Sequence, residues 1–316
     1  MPKVSVCIPA YNYAHFLSDA IDSVLAQTCQ DFELLVIDNC SIDNTKEVVN
    51  RYMADDPRIS YICNESNIGP VRNLNRCLEL ATGEYIKILC ADDLLLPTCL
   101  ELMVRALDQH PTASLVASGR KLVDSDLQPI RSLAYSFREE YIPGVAAINR
   151  CLFTGNHIGE PTAVLFRKKD ISRGFNSDYA QLVDLEMWFY LLEQGDFVFL
   201  PQDLCLFRQH AAQGTKTNLK TFNFLDDEEK LFNDYLSKPY ISATPLNILN
   251  WKFIMVWNIW HQRKNCDDPT VVKKYMDRYM NRYLFFLLVV PAMVSKKIAK
   301  ITRKLLASGS GSKESA

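Results

Sequence analysis

The chain has 316 residues, of which 48% are apolar, and its formal net charge is −2. This length accommodates one large α/β domain with an extension, or two domains, and the apolar content is ample for a packed core. Its ten cysteines occur singly, without a CxxC pair or a Cys/His cluster at zinc-ligand spacing. This excludes a zinc module and suits reduced, mostly buried thiols in a cytosolic protein. We expect no signal peptide, because Met1–Ser5 leads directly into a strand pattern.

The first 115 residues or so alternate between strand and helix patterns. Strands are predicted at Val4–Ile8, Phe32–Ile37, Ile59–Cys63, Tyr85–Leu89 and Ser114–Ser118. Helices are predicted at Phe16–Leu25, Asn44–Met53, Val71–Ala81 and Pro97–Gln109. Repeated βαβ units favour a mainly parallel sheet that is covered by helices on both faces.

The chain beyond residue 115 is less regular. Strands are predicted at Ala163–Phe166, Phe197–Leu200 and Leu204–Arg208. A helix is predicted at Leu182–Leu192, with Asp184 near its start, where an acidic side chain complements the helix dipole. From Phe222 onward the pattern is helical, and the Gly/Ser-rich stretch Ser308–Ala316 is expected to be disordered.

Polar residues follow three of the predicted strands at the point where each strand ends. Asp38 follows the second strand, Asp92 and Asp93 follow the fourth, and Pro9–Asn12 follows the first. Ligands of such sheets bind beyond the carboxyl ends of the strands, so one nucleotide-sized site can include all of these residues. No GxGxxG follows the first strand, and neither GxxxxGKS/T nor GxSxG occurs, which argues against dinucleotide, P-loop and hydrolase-elbow sites.

Asp92 and Asp93 follow a buried strand, where two adjacent carboxylates are unfavourable unless something offsets their charge. A divalent cation bound by carboxylate and substrate phosphate oxygens does so, which predicts Mg²⁺ or Mn²⁺ as the cofactor. The alternative is a solvated turn in which Asp caps a helix.

Five segments, taken in order, resemble family 2 glycosyltransferases. They are Val4–Asn12, Val36–Thr45, Asn67–Asn73, Gly83–Asp93 and Val183–Trp188. The first two resemble the opening strand and the second-strand signature of this family. The fourth resembles its DxD-type metal motif, and the last resembles the later acidic motif that supplies the catalytic base. The resemblance covers roughly residues 3–210.

The resemblance implies a GT-A-like α/β fold, with a Rossmann-type, mainly parallel sheet flanked by helices and a helical C-terminal extension. It also implies metal-dependent, inverting transfer of a sugar from a nucleotide-diphosphate donor, with UDP or dTDP favoured over GDP. The acceptor is expected to be a glycan or a lipid-linked saccharide, and nucleic acid is not expected as a partner.

The same resemblance assigns roles to particular residues. Asp184 is the expected base that takes the proton from the acceptor hydroxyl, and one base with direct displacement implies inversion. Asp92, Asp93 and His210 are the expected metal ligands. The expected donor-binding residues are Pro9, Tyr11, Asn12, Asp38, Arg72, Asn73, Ala91, Asp92 and Arg208.

Several of these residues have plainer alternatives. Asp38 is expected to accept a hydrogen bond from the nucleobase, and the alternative is an acidic residue in a surface turn. Arg72 is expected to bind phosphate, and the alternative is a solvated charge on a helix. Asp184 is otherwise an acid at a helix N-terminus, and His210 an ordinary surface or core residue. Glu160 lies in the part that resembles the acceptor side, where a carboxylate can bind sugar hydroxyls.

Two residues depart from the family pattern. Cys90 stands where the first Asp of the metal motif is usual, a position commonly given to ribose contact, so metal binding is expected to persist through Asp92. Cys40 stands where a small residue is usual after the second strand, and this substitution is expected to tighten the base pocket.

We predict a catalytic domain over residues 1–215, with a nucleotide-sugar-binding half (1–115) and an acceptor half (116–215). A helical extension over 216–306 and a disordered tail over 307–316 are predicted to follow. Residues 278–313 carry eight basic and no acidic side chains, and the apolar stretch 284–294 is too short to span a bilayer. This pattern favours an interfacial helix on the inner face of the cell membrane, with a packed core helix or a dimer contact as the alternative.

Two rival functions fit parts of the pattern. A nucleotidyltransferase would carry a Gly-rich, basic loop after the first strand, where this chain has Pro9–Asn12. A non-catalytic nucleotide-sugar or glycan-binding subunit would keep the fold but would need no base at Asp184, so a transfer assay separates it from an enzyme.

Overall fold

The computed structural model describes residues 1–210, 213, 222, 224–266 and 268–279. The strands are β1 (Val4–Ala10), β2 (Phe32–Asp38), β3 (Ile59–Cys63), β4 (Tyr85–Ile88), β5 (Leu94–Leu95), β6 (Ala113–Val123), β7 (Pro129–Leu133), β8 (Glu140–Ile142), β9 (Val164–Arg167) and β10 (Asp196–Arg208). The helices are α1 (Ala14–Leu25), α2 (Thr45–Asp55), α3 (Pro70–Leu80), α4 (Cys99–Gln109), α5 (Gly144–Thr154), α6 (Val183–Leu192), α7 (Phe224–Leu236), α8 (Pro245–Gln262) and α9 (Pro269–Tyr279). Short 3-10 turns at Pro161–Ala163 and Lys168–Asp170 flank β9.

One sheet runs through the described residues in the order β3-β2-β1-β4-β9-β6-β10-β5, with β7 beside β6 and β8 beside β10. Strands β1 to β4 pair in parallel, and β6 pairs in parallel with β10. The predicted α/β layering is therefore correct. The predicted parallel pairing holds for β1–β4 and for β6 with β10, whereas β5, β7, β8 and β9 are antiparallel to their neighbours.

β9 reverses the direction of the sheet, since it is antiparallel to both β4 and β6. The chain enters β9 from the 3-10 turn Pro161–Ala163, which follows a segment that crosses the edge where β4 ends. A strand that starts at the edge where β4 ends must run antiparallel to β4. Because of this reversal, residues just before β9 lie at the carboxyl end of the parallel strands.

Alternating strand residues build a separate core on each face of the sheet. On β2, Leu34 and Val36 face the core formed with α1, whereas Leu35 and Ile37 face the core formed with α3 and α6. This alternation follows from the two-residue period of a strand. Apolar burial on both faces fixes the register of the parallel strands and thus the positions of the residues that follow them.

The helices after β10 continue the second of these cores. The rings of Phe232 on α7 and Trp251 on α8 stack with centroids 3.8 Å apart, and Trp251 also meets Tyr279 of α9 at 5.6 Å. Phe189 of α6 packs edge-on against Tyr235 of α7 at 5.0 Å. The described part of the predicted helical extension thus packs on α6, which flanks the sheet.

The predictions about the far end of the chain lie outside the described residues. These are the interfacial helix and the disordered tail over 307–316. Within the described part of the chain, no helix is both long and apolar enough to cross a bilayer.

Some predicted boundaries were wrong. The helix predicted from Pro97 begins at Cys99, because Leu94–Leu95 pairs with β10 as a short strand. The two strands predicted after residue 196 form one strand, β10, whose pairing with β6 continues across an irregularity after Leu200. The strand β7 was not predicted, and its almost fully exposed residues explain why no apolar alternation marks it.

Arg167 joins β9 to its surroundings and provides a test of the fold. Its guanidinium is buried and donates to the carbonyls of Ala113 at 2.7 Å and Leu107 at 2.6 Å. Arg167→Met removes the charged donor from both carbonyls, and the Leu107 carbonyl keeps only the longer bond from the His110 N–H at 3.2 Å. We therefore expect the free energy of unfolding to fall by about 3 kcal/mol. Urea denaturation measures this, and the exposed neighbour Lys169, changed to Met, is the matched control that should stay near the parent value.

Candidate active site

A cavity of about 490 Å³ opens at the carboxyl ends of β1, β2 and β4. Its wall consists of Pro9, Ala10, Tyr11, Tyr13, Asn39, Asn67, Pro70, Asn73, Leu74, Cys90, Ala91, Asp92 and Pro161. Five of the predicted donor-binding residues belong to this wall, namely Pro9, Tyr11, Asn73, Ala91 and Asp92. The cavity therefore lies where the strand-end argument predicted a nucleotide-sized site.

A second cavity, of about 670 Å³, lies at the opposite edge of the sheet beside Lys3, Glu84 and Arg167. Several of its charged groups are bound to one another or to the backbone: Lys3 pairs with Glu84 at 2.8 Å, and Arg167 donates to carbonyls. It is larger, but it holds none of the strand-end polar residues. We therefore place the candidate active site in the smaller cavity.

Asn12 ties the loop after β1 to the loop after β2. Its backbone N–H donates to the Ser41 hydroxyl at 2.8 Å, and its side-chain oxygen accepts from the Ile42 N–H at 2.9 Å. Asn12 adopts φ +57°, a left-handed conformation that Asn tolerates better than most residues. Asn12 thus shapes the rim of the cavity, although it does not belong to the cavity wall.

Asp38 is buried at the end of β2 and organises the predicted nucleobase end. One carboxylate oxygen accepts from the Ser41 N–H at 3.0 Å and hydroxyl at 2.5 Å, and the other accepts from the Tyr61 hydroxyl at 2.6 Å. The Cys63 thiol lies 3.8 Å from that second oxygen. The role of Asp38 in binding a nucleobase stays a prediction, and these bonds give the carboxylate a structural role as well.

Asparagine side chains form a network along one side of the cavity. Asn39 donates to Asn67 at 2.9 Å, and Asn64 donates to Asn73 at 2.8 Å. Asn73 in turn donates to the Ile37 carbonyl at 3.1 Å. Asn39 and Asn67 were not predicted as site residues, although both lie within the family-like segments.

Arg72 is exposed on the first turn of α3, the helix whose N-terminal residue Pro70 belongs to the cavity wall. The structure gives Arg72 no ion pair with any described residue. Both the phosphate role and the solvated-charge alternative remain open for this side chain.

The acidic loop after β4 separates its two carboxylates. Asp92 faces the cavity, and one of its oxygens lies 2.9 Å from Nε2 of His210, as predicted for two members of one site. Asp93 is fully buried and accepts from the Thr162 hydroxyl at 2.6 Å and the Arg208 N–H at 2.9 Å. Burial and the adjacent Asp92 charge raise the pKa of Asp93 well above its usual range.

The segment at the end of β10 brings His210 to this loop. The His210 ring packs against Phe16 with centroids 4.8 Å apart and against Tyr13 at 5.6 Å, so α1 supports it from the side. Arg208 is buried, and its guanidinium bonds to Asp19 of α1 at 2.6 Å and lies over the Phe16 ring. Asp19 bonds to one nitrogen of the guanidinium, and the contact between Arg208 and donor phosphate stays a prediction.

The residues around Asp92 suit a divalent cation. The ligand atoms of Cys90, Asp92 and Asp93 lie within 4.8 Å of one another, and His210 adds an imidazole nitrogen. Burial and the two carboxylates raise the pKa of the Cys90 thiol, so it stays protonated and is a poor ligand. Since both oxygens of Asp93 already accept from protein donors, Asp92 and His210 are the better candidates. The carboxylate of Asp92 suits Mn²⁺ or Mg²⁺.

Asp184 lies in the first turn of α6, and its environment differs from that of the acidic loop. One of its oxygens accepts from the Leu185 N–H at 2.7 Å. Burial raises the pKa of Asp184 to about 7, with a further contribution from the negative charge of Glu160. A carboxyl group with such a pKa is half-ionised near neutral pH, which suits a general base.

Glu160 connects the two acidic groups electrostatically. Its charge acts on both Asp184 and Asp93, and its carboxylate forms an ion pair with the buried Arg120 of β6. Arg120 opposes Glu160, because its positive charge favours the ionised form of Asp184. Arg120 was not predicted, since a basic residue in a strand carries no motif of its own.

Fold and site together define a class of protein. A sheet with nucleotide-sized space beyond its parallel strands, an acidic loop suited to a cation and a separate carboxyl group near neutral pKa are features of a GT-A-type transferase. Comparison with known proteins supports this class and narrows it to a family.

Residues 5–175 match the family described as glycosyl transferase family 2. An uncharacterized Mycobacterium tuberculosis protein is 30% identical over 75% of this chain and 77% of its own length. Pasteurella multocida chondroitin synthase is 30% identical over 73% of this chain, which spans only 22% of that larger protein. The chain belongs to glycosyl transferase family 2, and the predicted enzyme class, a glycosyltransferase, is confirmed.

Two solved structures show the same fold. S. aureus TarS 1–349 in complex with UDP-GlcNAc superposes with a TM-score of 0.55 at 17% identity, over 88% of this chain and 89% of that one. The mannosyltransferase PcManGT from Pyrobaculum calidifontis, in complex with GDP-Man and Mn²⁺, gives a TM-score of 0.58 at 17% identity, over 93% of this chain and 80% of that one. The predicted GT-A-like fold is thereby confirmed.

The raised pKa of Asp184 has a consequence for stability that is measurable without a substrate. The group titrates near 3.9 when unfolded and at about 7 in the fold. Between these values the folded state binds more protons, so the free energy of unfolding falls as pH rises through this window. Asp184→Asn removes that dependence. The free energy of unfolding of the variant, measured relative to that of the parent, should therefore rise by roughly 2–3 kcal/mol from pH 5 to pH 8.

Urea denaturation of parent and variant at both pH values tests this expectation. The exposed Asp178, in the loop before α6, provides the control, and Asp178→Asn should track the parent at both values. An Asp184→Asn protein whose stability also tracks the parent would show that the carboxyl titrates normally.

Proposed function

We propose that the chain is a metal-dependent, inverting glycosyltransferase that moves a sugar from a nucleotide-diphosphate donor to a saccharide or lipid-linked saccharide hydroxyl. One observation carries the proposal. The carboxyl group of Asp184, with a pKa of about 7, lies apart from the acidic loop after β4, and the charge of Glu160 raises the pKa of both Asp184 and Asp93. Transfer to a hydroxyl needs these two functions, a base for the acceptor and stabilisation of the departing diphosphate.

The donor is proposed to bind in the 490 Å³ cavity, whose volume lies within the usual range for small-molecule sites. The nucleobase would lie toward Asp38 and the diphosphate toward Asp92. The UDP-GlcNAc complex of S. aureus TarS supports a UDP-sugar, and UDP or dTDP is proposed ahead of GDP. The chondroitin and hyaluronan synthases among the relatives support a role in polysaccharide biosynthesis.

Asp92 and His210 would hold Mg²⁺ or Mn²⁺, which, when bound, neutralises the negative charge of the diphosphate leaving group. The Mn²⁺ in the complex of the Pyrobaculum calidifontis mannosyltransferase supports this choice. Phe16 and Tyr13 keep the His210 ring beside Asp92. Asp93 stays inside the protein and keeps the loop in place.

Asp184 would accept the proton of the acceptor hydroxyl as its oxygen attacks the anomeric carbon. With a pKa of about 7, the carboxylate is available above neutral pH and is basic enough to take the proton. A single base on the acceptor side gives direct displacement and therefore inversion. A non-catalytic binding subunit, the alternative function, would derive no benefit from such a perturbed carboxyl group.

Asp184→Asn tests the proposal. We expect turnover to fall by roughly 10²–10⁴-fold, the usual range for a lost general base, while the donor Kd stays within about twofold. The kcat/KM of the parent should fall as the pH drops below about 7, because the base must be ionised. Radiolabelled transfer measures turnover, calorimetry measures the donor Kd, and NMR of the product should show the anomeric configuration opposite to that of the donor.

Asp178→Asn is again the matched control and should turn over like the parent. Loss of donor affinity with normal turnover of bound donor would make Asp184 a binding residue. A retained anomeric configuration would contradict direct displacement, and a parent protein that binds donors without transferring sugar would support the non-catalytic alternative.

We further propose that the basic, apolar residues 280–306 hold the enzyme on the inner face of the cell membrane. Each basic side chain near an anionic surface contributes on the order of 1 kcal/mol, and salt weakens this term. Truncation should follow Tyr279, because that side chain is buried against Trp251. The truncated protein should lose co-sedimentation with phosphatidylserine vesicles at low salt and keep activity on a soluble acceptor; equal sedimentation of both forms would contradict the proposal.

A further inference from the structure

Thr162 makes three hydrogen bonds, two to the acidic loop and one to the strand β4 that precedes it. Its hydroxyl donates to the buried carboxylate of Asp93 at 2.6 Å and accepts from the Cys90 N–H at 3.2 Å. Its backbone carbonyl accepts from the ammonium of Lys87 at 2.5 Å. Thr162 is itself only 1% exposed, so water does not compete for these bonds.

Lys87 fixes the backbone of Thr162 through the hydrogen bond to its carbonyl oxygen. The side chain lies within β4, is fully buried, and also donates to the Val164 carbonyl at 3.2 Å. Among the described residues it forms no ion pair with a carboxylate, although a buried ammonium is strongly unfavourable without compensation. The buried carboxylate of Asp93 lies on the other side of Thr162. The threonine therefore links two buried ionisable groups, Lys87 and Asp93.

The other oxygen of Asp93 accepts from the Arg208 N–H at 2.9 Å. The carboxylate is thus fixed on both sides, by the segment before β9 and by the end of β10. Asp92, one residue earlier, points the opposite way into the cavity. Because neighbouring residues share a peptide plane, the orientation of Asp92 depends on how firmly Asp93 is held.

We propose that Thr162 is a positioning residue that clamps the Cys90–Asp93 loop and thereby presents Asp92 to the cation and the donor diphosphate. Lys87 completes the clamp by fixing the Thr162 carbonyl. The inference rests on the proposed function, since it concerns the same cation site. It adds a residue that lies about seventy positions away in the chain and that no acidic motif includes.

Mn²⁺ alone is the probe, titrated into the full chain and followed by the electron paramagnetic resonance signal of the free ion. Thr162→Val keeps the shape of the side chain and removes the hydroxyl. We expect it to weaken Mn²⁺ binding by roughly 10-fold, the lower end of the usual effect of removing a hydrogen bond that orients a metal ligand, because Thr162 acts on Asp92 through Asp93. Thr162→Ser restores the hydroxyl and should bind within about threefold of the parent.

Two further variants make the result specific. Thr82 donates its hydroxyl to the Glu33 carboxylate at 2.8 Å, at the opposite edge of the sheet, so Thr82→Val removes the same kind of bond without altering Mn²⁺ affinity. Asp92→Asn removes the expected ligand and should abolish Mn²⁺ binding. Thermal denaturation checks that each variant is folded, and Thr162→Ala replaces Thr162→Val if the latter does not fold.

A folded hydroxyl-deleted variant with the parent Mn²⁺ affinity, beside an Asp92→Asn protein that has lost it, would overturn the positioning role alone. Parent-like Mn²⁺ binding by Asp92→Asn would overturn the cation site of the proposed function, and the positioning role with it. Equal losses in Thr162→Val and Thr162→Ser would also overturn the proposal, because the hydroxyl would then not be the group that matters.

Discussion

The burial of one carboxylate, that of Asp93, is the constraint on which the candidate site depends. An acidic group removed from water requires hydrogen-bond donors, and the fold supplies them from the Thr162 hydroxyl and the Arg208 N–H. The first donor reaches Asp93 because β9 starts at the edge where β4 ends. The second reaches it because β10 runs to the same edge, and the strand then delivers His210 beside Asp92.

Much of the first half of the fold was predictable from the sequence. Apolar runs that end in Pro9, Asp38 and Asp92 identify parallel strands, and burial on both faces leaves little freedom in how those strands pair. Their ends then have to meet at one edge, which places the cavity of the candidate site. The bounds of α3 and α6 moved by about one residue, since periodic apolar positions define helices well and their ends poorly.

The rest depends on contacts that a sequence does not display. Nothing in the Asp92–Asp93 dipeptide indicates which carboxylate faces the cavity, because that depends on donors from β9 and β10. Arg208 follows a familiar pattern, yet Asp19 of α1 holds its guanidinium, a pairing across most of the domain. Thr162 has no sequence signature, because its importance lies in three partners from one distant segment, β4 and the loop that follows it.

The arrangement around Asp38 has a practical consequence for spectroscopy. Cys63 is the exposed thiol among the described cysteines, whereas Cys7, Cys77, Cys99, Cys151 and Cys205 are buried. Its sulfur lies 3.8 Å from the Asp38 carboxylate, at the end of the edge strand β3, whereas His210 follows β10 on the other side of the sheet. A fluorophore coupled there by maleimide chemistry lies beside Asp38, at the proposed nucleobase end, so its emission is expected to change when a nucleotide binds.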